Sequence, residues 1–359
     1  RQYPKEYLWT YKIWKYSNQR EVLILSDGKA GHLRQSQAVV KVLEDYYKEK
    51  NINLSVKTQD LILKNKFLKF ALNFSCSCLR RFPDKASYGD LIKAKADFVV
   101  SCGSSLAAVN HLLARLNQAK SIVIMRPDYL NMSKFDLVVM PRHDNPPKRK
   151  NVFITEGALN LIDEKYLEQQ SEQLLSAIRY PLSADVLRIG LLIGGPAKDF
   201  KLEEQLLKVV IAQIKSFVKN SAVEILVTTS RRTSSVLEQL VKEEFKDYPA
   251  CKLLIIANED NYPAAVGGIL GLSRILIVSP ESISMISEAA SSARNVIVFD
   301  AQVNKRHGKF LEYMNSKKYI YLVKPAEVSS LIAKMHSGEI RTNKLDDRAI
   351  LKEFLEKVI

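Results

Sequence analysis

Apolar positions come in short blocks along this chain. Runs rich in Val, Ile and Leu recur at 21–26 (EVLILS), 53–61, 96–103, 120–127, 135–144 and 151–157. A second series follows at 188–196, 224–232, 251–260, 274–282, 295–301 and 319–324. Most lack the strict alternation of a half-exposed strand, which predicts parallel strands covered on both faces. Between the runs apolar residues fall at helical spacing, as in Leu33, Ala38, Val39, Val40 and Leu43 after the first. Strand alternating with helix predicts a doubly wound α/β architecture.

At 359 residues the chain suggests about two domains. Residues 161–188 read as a helix that breaks at Pro181 and LSADV, which predicts a boundary near 175–187. Four parts are expected: a basic aromatic segment at 1–20, a Rossmann-like domain at 21–180, a second at 181–340, and an amphipathic helix in 341–359 that packs back on the first domain.

The formal charge of +15 favours an anionic partner: nucleic acid, anionic lipid or a phosphorylated ligand. Nucleic acid is the least expected, since no recognition motif is present. No apolar run approaches the roughly 18–20 residues of a membrane-spanning helix. The four cysteines form no disulfide framework, and the C-x-C at Cys76 and Cys78 lacks further zinc ligands nearby, so a reduced, cytoplasmic chain is expected. The first twenty residues interleave Lys and Arg with Tyr and Trp, which suits a membrane–water interface or a helix packed on its own domain. Residues 64–82 mix Lys64, Lys66, Lys69, Arg80 and Arg81 with Phe67, Leu68, Phe70, Leu72 and Phe74. This fits docking on anionic lipid, against the alternative of a core helix with a solvated basic face. Peripheral attachment to the cytoplasmic face of a membrane is the resulting expectation.

Residues able to do chemistry gather where the runs end, the place at which open parallel sheets bind ligands. The first half supplies Ser26, Asp27, Gly28, Lys29, Gly31 and His32, then Gly103, Ser104 and Ser105, then Arg126, then Arg142 and His143. The second supplies Gly194 and Gly195, then Ser230, Arg231 and Arg232, then Asn258, then Glu281, Ser282, Ser284, Met285 and Glu288. The chain has no G-x-x-x-x-G-K-[ST], and SDGKAGH lacks G-x-G-x-x-G, which disfavours P-loop and ordinary dinucleotide enzymes. No H-E-x-x-H or G-x-S-x-G occurs, so neither a metal catalyst nor a serine hydrolase is indicated. Ser282 and Ser284 can cap a helix whose N-terminus favours phosphate, and Glu288 lies one turn further on.

Several blocks resemble, in order, those of the ELM1-type family: SDGKAGH, VVSCGSSLAAVNHLLAR, IVIMRPDYLNMSKFDLVVMPRHD, NVFITEGALN, LLIGGPAKDF, VTTSRRT and SPESISMISEAAS. The resemblance covers residues 21 to about 300. That family includes the plant mitochondrial fission factor and bacterial proteins assigned as glycosyltransferases. It implies a GT-B fold, two Rossmann-like domains facing a cleft, with acceptor on the N-terminal and nucleotide sugar on the C-terminal side. The helix containing ESISMISEAAS is also distantly similar to the donor helix of lipid-linked sugar transferases of the MurG type, which implies ribose contact by Glu288. SDGKAGH is similar to the glycine-rich first loop of those enzymes, with Asp27 and Lys29 in place of small residues.

An inverting sugar transfer needs a base for the acceptor hydroxyl and positive charge or N–H groups for the departing diphosphate. His32 is the first candidate base and Asp27 the alternative. Their competing structural roles are a helix-start histidine bonded to backbone and a turn residue. The donor side is expected to be Gly194, Gly195, Ser230, Arg231, Arg232, Asn258, Glu281, Ser282, Ser284, Met285 and Glu288. The acceptor side is expected to be Ser26, Gly28, Lys29, Gly31, Gly103, Ser104, Ser105, Arg126, Arg142 and His143. Solvated arginines and plain strand-to-helix turns are the bland alternatives. The expectation is a metal-independent glycosyltransferase with a nucleotide sugar as substrate, no further cofactor, and a lipid-linked or envelope glycan as acceptor. A non-catalytic membrane adaptor is the alternative.

Overall fold

The computed structural model describes residues 18–62, 66–79, 89–128, 130–178, 182–196, 202–260 and 262–358. The chain divides into two compact units: Arg1–Met140, Pro147–Ile154 and Arg348–Ile359 form the first, Pro141–Pro146 and Thr155–Asp347 the second.

In unit 1 the chain runs β1 (Gln19–Ser26), α1 (Ala30–Lys48), β2 (Asn53–Asp60), α2 (Lys66–Phe74), α3 (Gly89–Lys93), β3 (Phe98–Cys102), α4 (Ala107–Asn117), β4 (Lys120–Ile124), β5 (Leu137–Pro141) and β6 (Val152–Thr155). These strands form one sheet in the order β2-β1-β3-β4-β5-β6. The pairings of β1 with β2 and β3, and of β4 with β3 and β5, are parallel. Strands β3 and β5 are buried along their whole length, which is why their sequences read as continuous apolar runs. Leu23, Val99, Val123 and Val138 meet Val109 and Leu113 of α4 in the core. The edge strand β2 is largely exposed, and its sequence correspondingly alternates with polar residues.

Unit 2 runs α5 (Glu164–Ala177), β7 (Leu187–Ile193), α6 (Glu204–Val218), β8 (Val223–Thr229), α7 (Ser235–Phe245), β9 (Cys251–Ile255), α8 (Ala265–Leu272), β10 (Ile275–Val278), α9 (Ile283–Ser291), β11 (Asn295–Phe299), α10 (Lys305–Ser316), β12 (Tyr321–Val323) and α11 (Val328–Ser337). Its sheet order, β12-β11-β10-β7-β8-β9, is the doubly wound order of a dinucleotide-binding fold, with the reversal between β7 and β10. The two sheet faces carry separate cores. Ile189, Leu191, Ile193, Ile275 and Ile277 serve one, and Leu192, Leu276 and Val278 serve the other.

The last helix, α12 (Asp347–Val358), returns to unit 1. There Phe354 meets Phe153 with ring centroids 5.3 Å apart, Arg348 pairs with Asp45 at 3.4 Å, and Lys352 pairs with Glu49. At the crossover, Asp347 accepts the backbone N–H groups of Glu156 and Gly157, both at 2.9 Å. The Glu156 carboxylate accepts the hydroxyls of Tyr313, at 2.6 Å, and Tyr319.

The expected boundary near 175–187 is displaced: the chain enters unit 2 at Thr155. The cause is α5, which packs on α8 through small residues. A Cβ at Gly268 would lie 2.5 Å from Leu174, and one at Gly271 2.1 Å from the Ser171 hydroxyl. The expected break at Pro181 lies outside the described residues. Of the expected lipid-facing segments, residues 1–17, the side chains of 63–69 and residues 80–88 lie outside the described residues. Within the described part of α2, Leu72 is buried while Phe70 and Phe74 are exposed and stack with centroids 6.3 Å apart. Among the described residues no helix is long and apolar enough to cross a membrane.

Candidate functional site

Each unit brings most of its predicted residues together at the point where its strand order reverses. In unit 1 that point lies between the carboxyl ends of β1 and β3. Ser26 closes β1, its hydroxyl accepting the Gly28 N–H at 3.2 Å. Gly28 has φ +81°, a left-handed turn that a side chain would strain. The turn returns Asp27 toward the start of α1, where its two carboxylate oxygens lie 3.1 and 3.0 Å from His32 Nδ1. Lys29 Nζ sits 2.9 Å from the same carboxylate, and the Ser105 hydroxyl donates to it at 3.4 Å. Gly103, φ +86°, ends β3 directly beneath the imidazole: a Cβ there would lie 2.9 Å from His32 Cε1.

His32 and Asp27, candidates for one role in the sequence, are thus partners. Burial pushes the Asp27 carboxyl up, but the hydrogen bond from Lys29 and the charges of His32 and Lys29 outweigh it and hold the group ionised below the usual range. Burial lowers the His32 pKa, Asp27 pulls it up, and the net position is below the ordinary imidazole value. His32 is therefore neutral at pH 7. With Nδ1–H donated to Asp27, Nε2 carries the free lone pair, the arrangement of a base held in one tautomer. Ser104 opens the turn that leads into α4, and Gly31 is exposed on the first turn of α1.

Arg126, expected on the acceptor side, is exposed beside Met125, a non-glycine residue in the left-handed region at φ 69°. Arg142 and His143, expected with the acceptor group, are seated in unit 2 against α10. The Arg142 guanidinium lies 4.9 Å from the Tyr313 ring, His143 meets Phe310 edge-on at 5.4 Å, and the adjoining Asp144 pairs with Arg306. Burial pushes His143 down to about 4, so it stays neutral and structural.

In unit 2 the reversal lies between β7 and β10. The Gly194 N–H donates to the Ser279 hydroxyl at 2.7 Å, joining the two strand ends. Thr233 donates to the Gly194 carbonyl at 2.7 Å and so ties in the Ser230–Arg232 turn. Gly195 is compulsory: a Cβ would fall 2.2 Å from the Arg232 backbone. Both Arg231 and Arg232 are exposed at this turn. Helix α9 begins beside it, with Ser282 capping through a 3.3 Å bond from Met285 N–H, Ser284 exposed on the first turn and Glu288 half-buried one turn on. Glu281 lies flat against Gly194, where a Cβ would come within 3.1 Å of its Cγ and Oε1. Two predicted residues serve other ends. Asn258 gives its amide to Glu238 at 2.7 Å, and Met285 packs into the apolar core.

One neighbouring feature escaped the sequence reading. A pocket of about 540 Å³ opens at the carboxyl end of β11, lined by Asp300, Gln302, Asn304, Lys305, Lys309 and Glu312 among others. Its volume suits a small ligand. The signal was present as FDAQVNK, an apolar run ending in Asp, Gln and Asn, but these residues also make an ordinary helix cap, with Asn304 accepting from the His307 N–H at 2.9 Å.

A family model described as mitochondrial fission ELM1 matches residues 30–350. The uncharacterized protein RP120 of Rickettsia prowazekii (strain Madrid E) is 21% identical over 90% of this chain and 99% of its own. The mitochondrial fission protein ELM1 of Arabidopsis thaliana is 23% identical over 56% of this chain and 51% of its own, so that match spans about half of the plant protein. Among solved structures, UDP-GlcNAc 2-epimerase from Neisseria meningitidis, bound to UDP-GlcNAc, superposes with TM-score 0.53 at 12% identity, covering 94% of this chain and all of the other. The glycotransferase of kitacinnamycin superposes with TM-score 0.50 at 11% identity, over 94% and 95% of the two chains. These likenesses, with two six-stranded sheets, establish a GT-B-like α/β fold.

Proposed function

The chain belongs to the mitochondrial fission ELM1 family, and from that membership and the two strand-end sites we propose that it is a glycosyltransferase using a nucleotide-activated sugar. The observation that carries this reading is the reversal point of unit 2, where Gly194, Gly195, the Ser230–Arg232 turn and the start of α9 converge. Glycines there let backbone approach a diphosphate, the dipole of α9 favours its charge, and the exposed Arg231 and Arg232 can pair with it. Glu288 is assigned to the ribose, and the pocket after β11 to the sugar ring.

On the acceptor side, His32 Nε2 takes the proton of an acceptor hydroxyl as its oxygen bonds to the anomeric carbon. The bond from that carbon to the diphosphate breaks, and the leaving group keeps the electron pair. Asp27 steadies the resulting imidazolium. The net charge of +15 and the exposed Phe70 and Phe74 of α2 support a lipid-linked or envelope glycan as the acceptor, met at an anionic membrane surface.

The test is a binding and transfer assay against a panel of nucleotide sugars, beginning with UDP-GlcNAc, with membrane lipid extract as acceptor. Glu288→Ala and Arg231→Ala should each weaken donor binding about tenfold, the scale of one good charge-assisted contact. His32→Asn should leave donor binding intact and abolish transfer. Failure to bind any nucleotide sugar overturns the reading. The name of the Arabidopsis relative favours a second one, a non-catalytic adaptor, in which partner recruitment survives both His32→Asn and Arg231→Ala.

A further inference from the structure

Among the described residues, Glu281 stands apart: both its carboxylate oxygens are buried and neither has a hydrogen-bond partner. The residue is 4% exposed. It stands in the short connection after β10, immediately before the cap of α9, and its carboxyl lies over Gly194, where a Cβ at 194 would come within 3.1 Å of it. Burying an ionised carboxylate without a partner is costly, and it is most costly where an anion must also bind. The site around it is built for an anion: glycine backbone, a helix N-terminus and Arg232.

We propose that Glu281 is protonated when a diphosphate occupies unit 2 and donates its hydrogen to a phosphate oxygen, so that ligand affinity falls as the pH rises. This rests on the reading of unit 2 as a nucleotide-sugar site. An ionised Glu281 would set one negative charge against another, whereas the acid form removes the repulsion and supplies a donor. Desolvation pushes the free group up to about 7; its own N–H, the Ser279 hydroxyl and the Arg232 charge lie near enough to pull it down, but none makes a hydrogen bond to it. An arriving phosphate pushes it further in the same direction.

The groups that face Glu281 are few. Among the described residues, Arg232 comes from the turn after β8, Ser279 from the residue after β10 and uncharged Gly194 from the residue after β7. From α10, His307 Nε2 is bonded to the carbonyl of the preceding Pro280, and its pKa is lowered by burial, so it is neutral above the ordinary imidazole value. Among these described groups, Glu281 is the one whose charge change is centred near pH 7.

Calorimetric titration of the full chain with UDP-GlcNAc and with inorganic pyrophosphate, at pH 6, 7 and 8, tests the proposal. Wild type should bind UDP-GlcNAc roughly tenfold more weakly at pH 8 than at pH 6, the ratio expected for a required proton that leaves near pH 7. Glu281→Gln, which keeps the shape and a permanent donor, should vary less than about twofold. Parallel pH dependence in the two proteins overturns the inference and leaves the nucleotide reading standing. Pyrophosphate binding with a Glu281-dependent profile, but no UDP-GlcNAc binding, keeps the inference and overturns the UDP-sugar form of that reading. Binding of neither ligand overturns both. If Glu281→Gln does not fold, wild type alone decides: titration at pH 7.5 in two buffers of different ionisation heat should show net proton uptake with UDP-GlcNAc, and zero uptake overturns the proposal.

Discussion

The proposed role of His32 as a base depends on Asp27 and Gly103, which fix its ring, and each of those can be tested separately. With Asp27 on Nδ1, the base is ready wherever the imidazole is neutral. Its lowered pKa places the acid limb of a rate profile below the ordinary value of 6.5. With donor at saturating concentration, transfer should be level above that value and fall as the pH drops through the folded-state pKa, when Nε2 takes up its own proton. His32→Asn should cost about 10²–10⁴-fold in rate and erase that limb. A persisting limb in the variant would assign it to another group. Gly103→Ala combines a left-handed φ with a Cβ 2.9 Å from the imidazole. It should cost about 1–3 kcal/mol in chemical denaturation and misplace the base as well. The sequence displayed all three residues, yet not their relation, because His32 stands five positions after Asp27 and Gly103 71 positions after His32. Only the adjacency of β1 and β3 closes that distance.

At the scale of elements the hydrophobic pattern was a faithful guide to the strands. Each of the twelve apolar runs contains a strand or most of one, since buried parallel strands have little sequence freedom on either face. It was a poor guide to helix ownership. Helix α5 looks like the close of the first domain, but its partner is α8, and the glycines that admit it lie about 100 residues downstream at 267, 268 and 271. Such pairing is invisible to periodicity. The cap of α9 was legible, because Ser282 stands directly before the helix in SPESISMISEAAS. Ser282→Ala should lower stability by about 1 kcal/mol in urea unfolding and weaken donor binding in parallel. A loss of stability with unchanged binding would separate the cap from the ligand site.

For the whole molecule, each unit has its own sheet and core, and the chain passes between them near residues 140, 147, 154 and 347. Helix α12 makes unit 1 depend on the far end of the chain. Leu351 and Leu355 are completely buried, and Phe354 packs on Phe153. At roughly 1.5–3 kcal/mol for each buried large apolar side chain, removing residues 348–359 should destabilise unit 1 by several kcal/mol. Hydrogen exchange would read this as lost protection in β1 and α1 with unit 2 unchanged; equal loss in both would show that they unfold together. The sequence allowed this return only as an expectation from an amphipathic tail, since nothing local says which surface a terminal helix will cover.

The bonds from Asp347 to Glu156 and Gly157 carry a practical corollary. They tie the beginning of the 155–347 stretch to its end, so nearly two hundred residues enter and leave through one doorway. A stretch whose two ends meet can be exchanged: grafting the corresponding stretch of the Rickettsia relative needs two splices only, side by side, and leaves the short Pro141–Pro146 part of the same unit with the recipient. Donor preference should travel with the graft, and base chemistry should remain with the recipient.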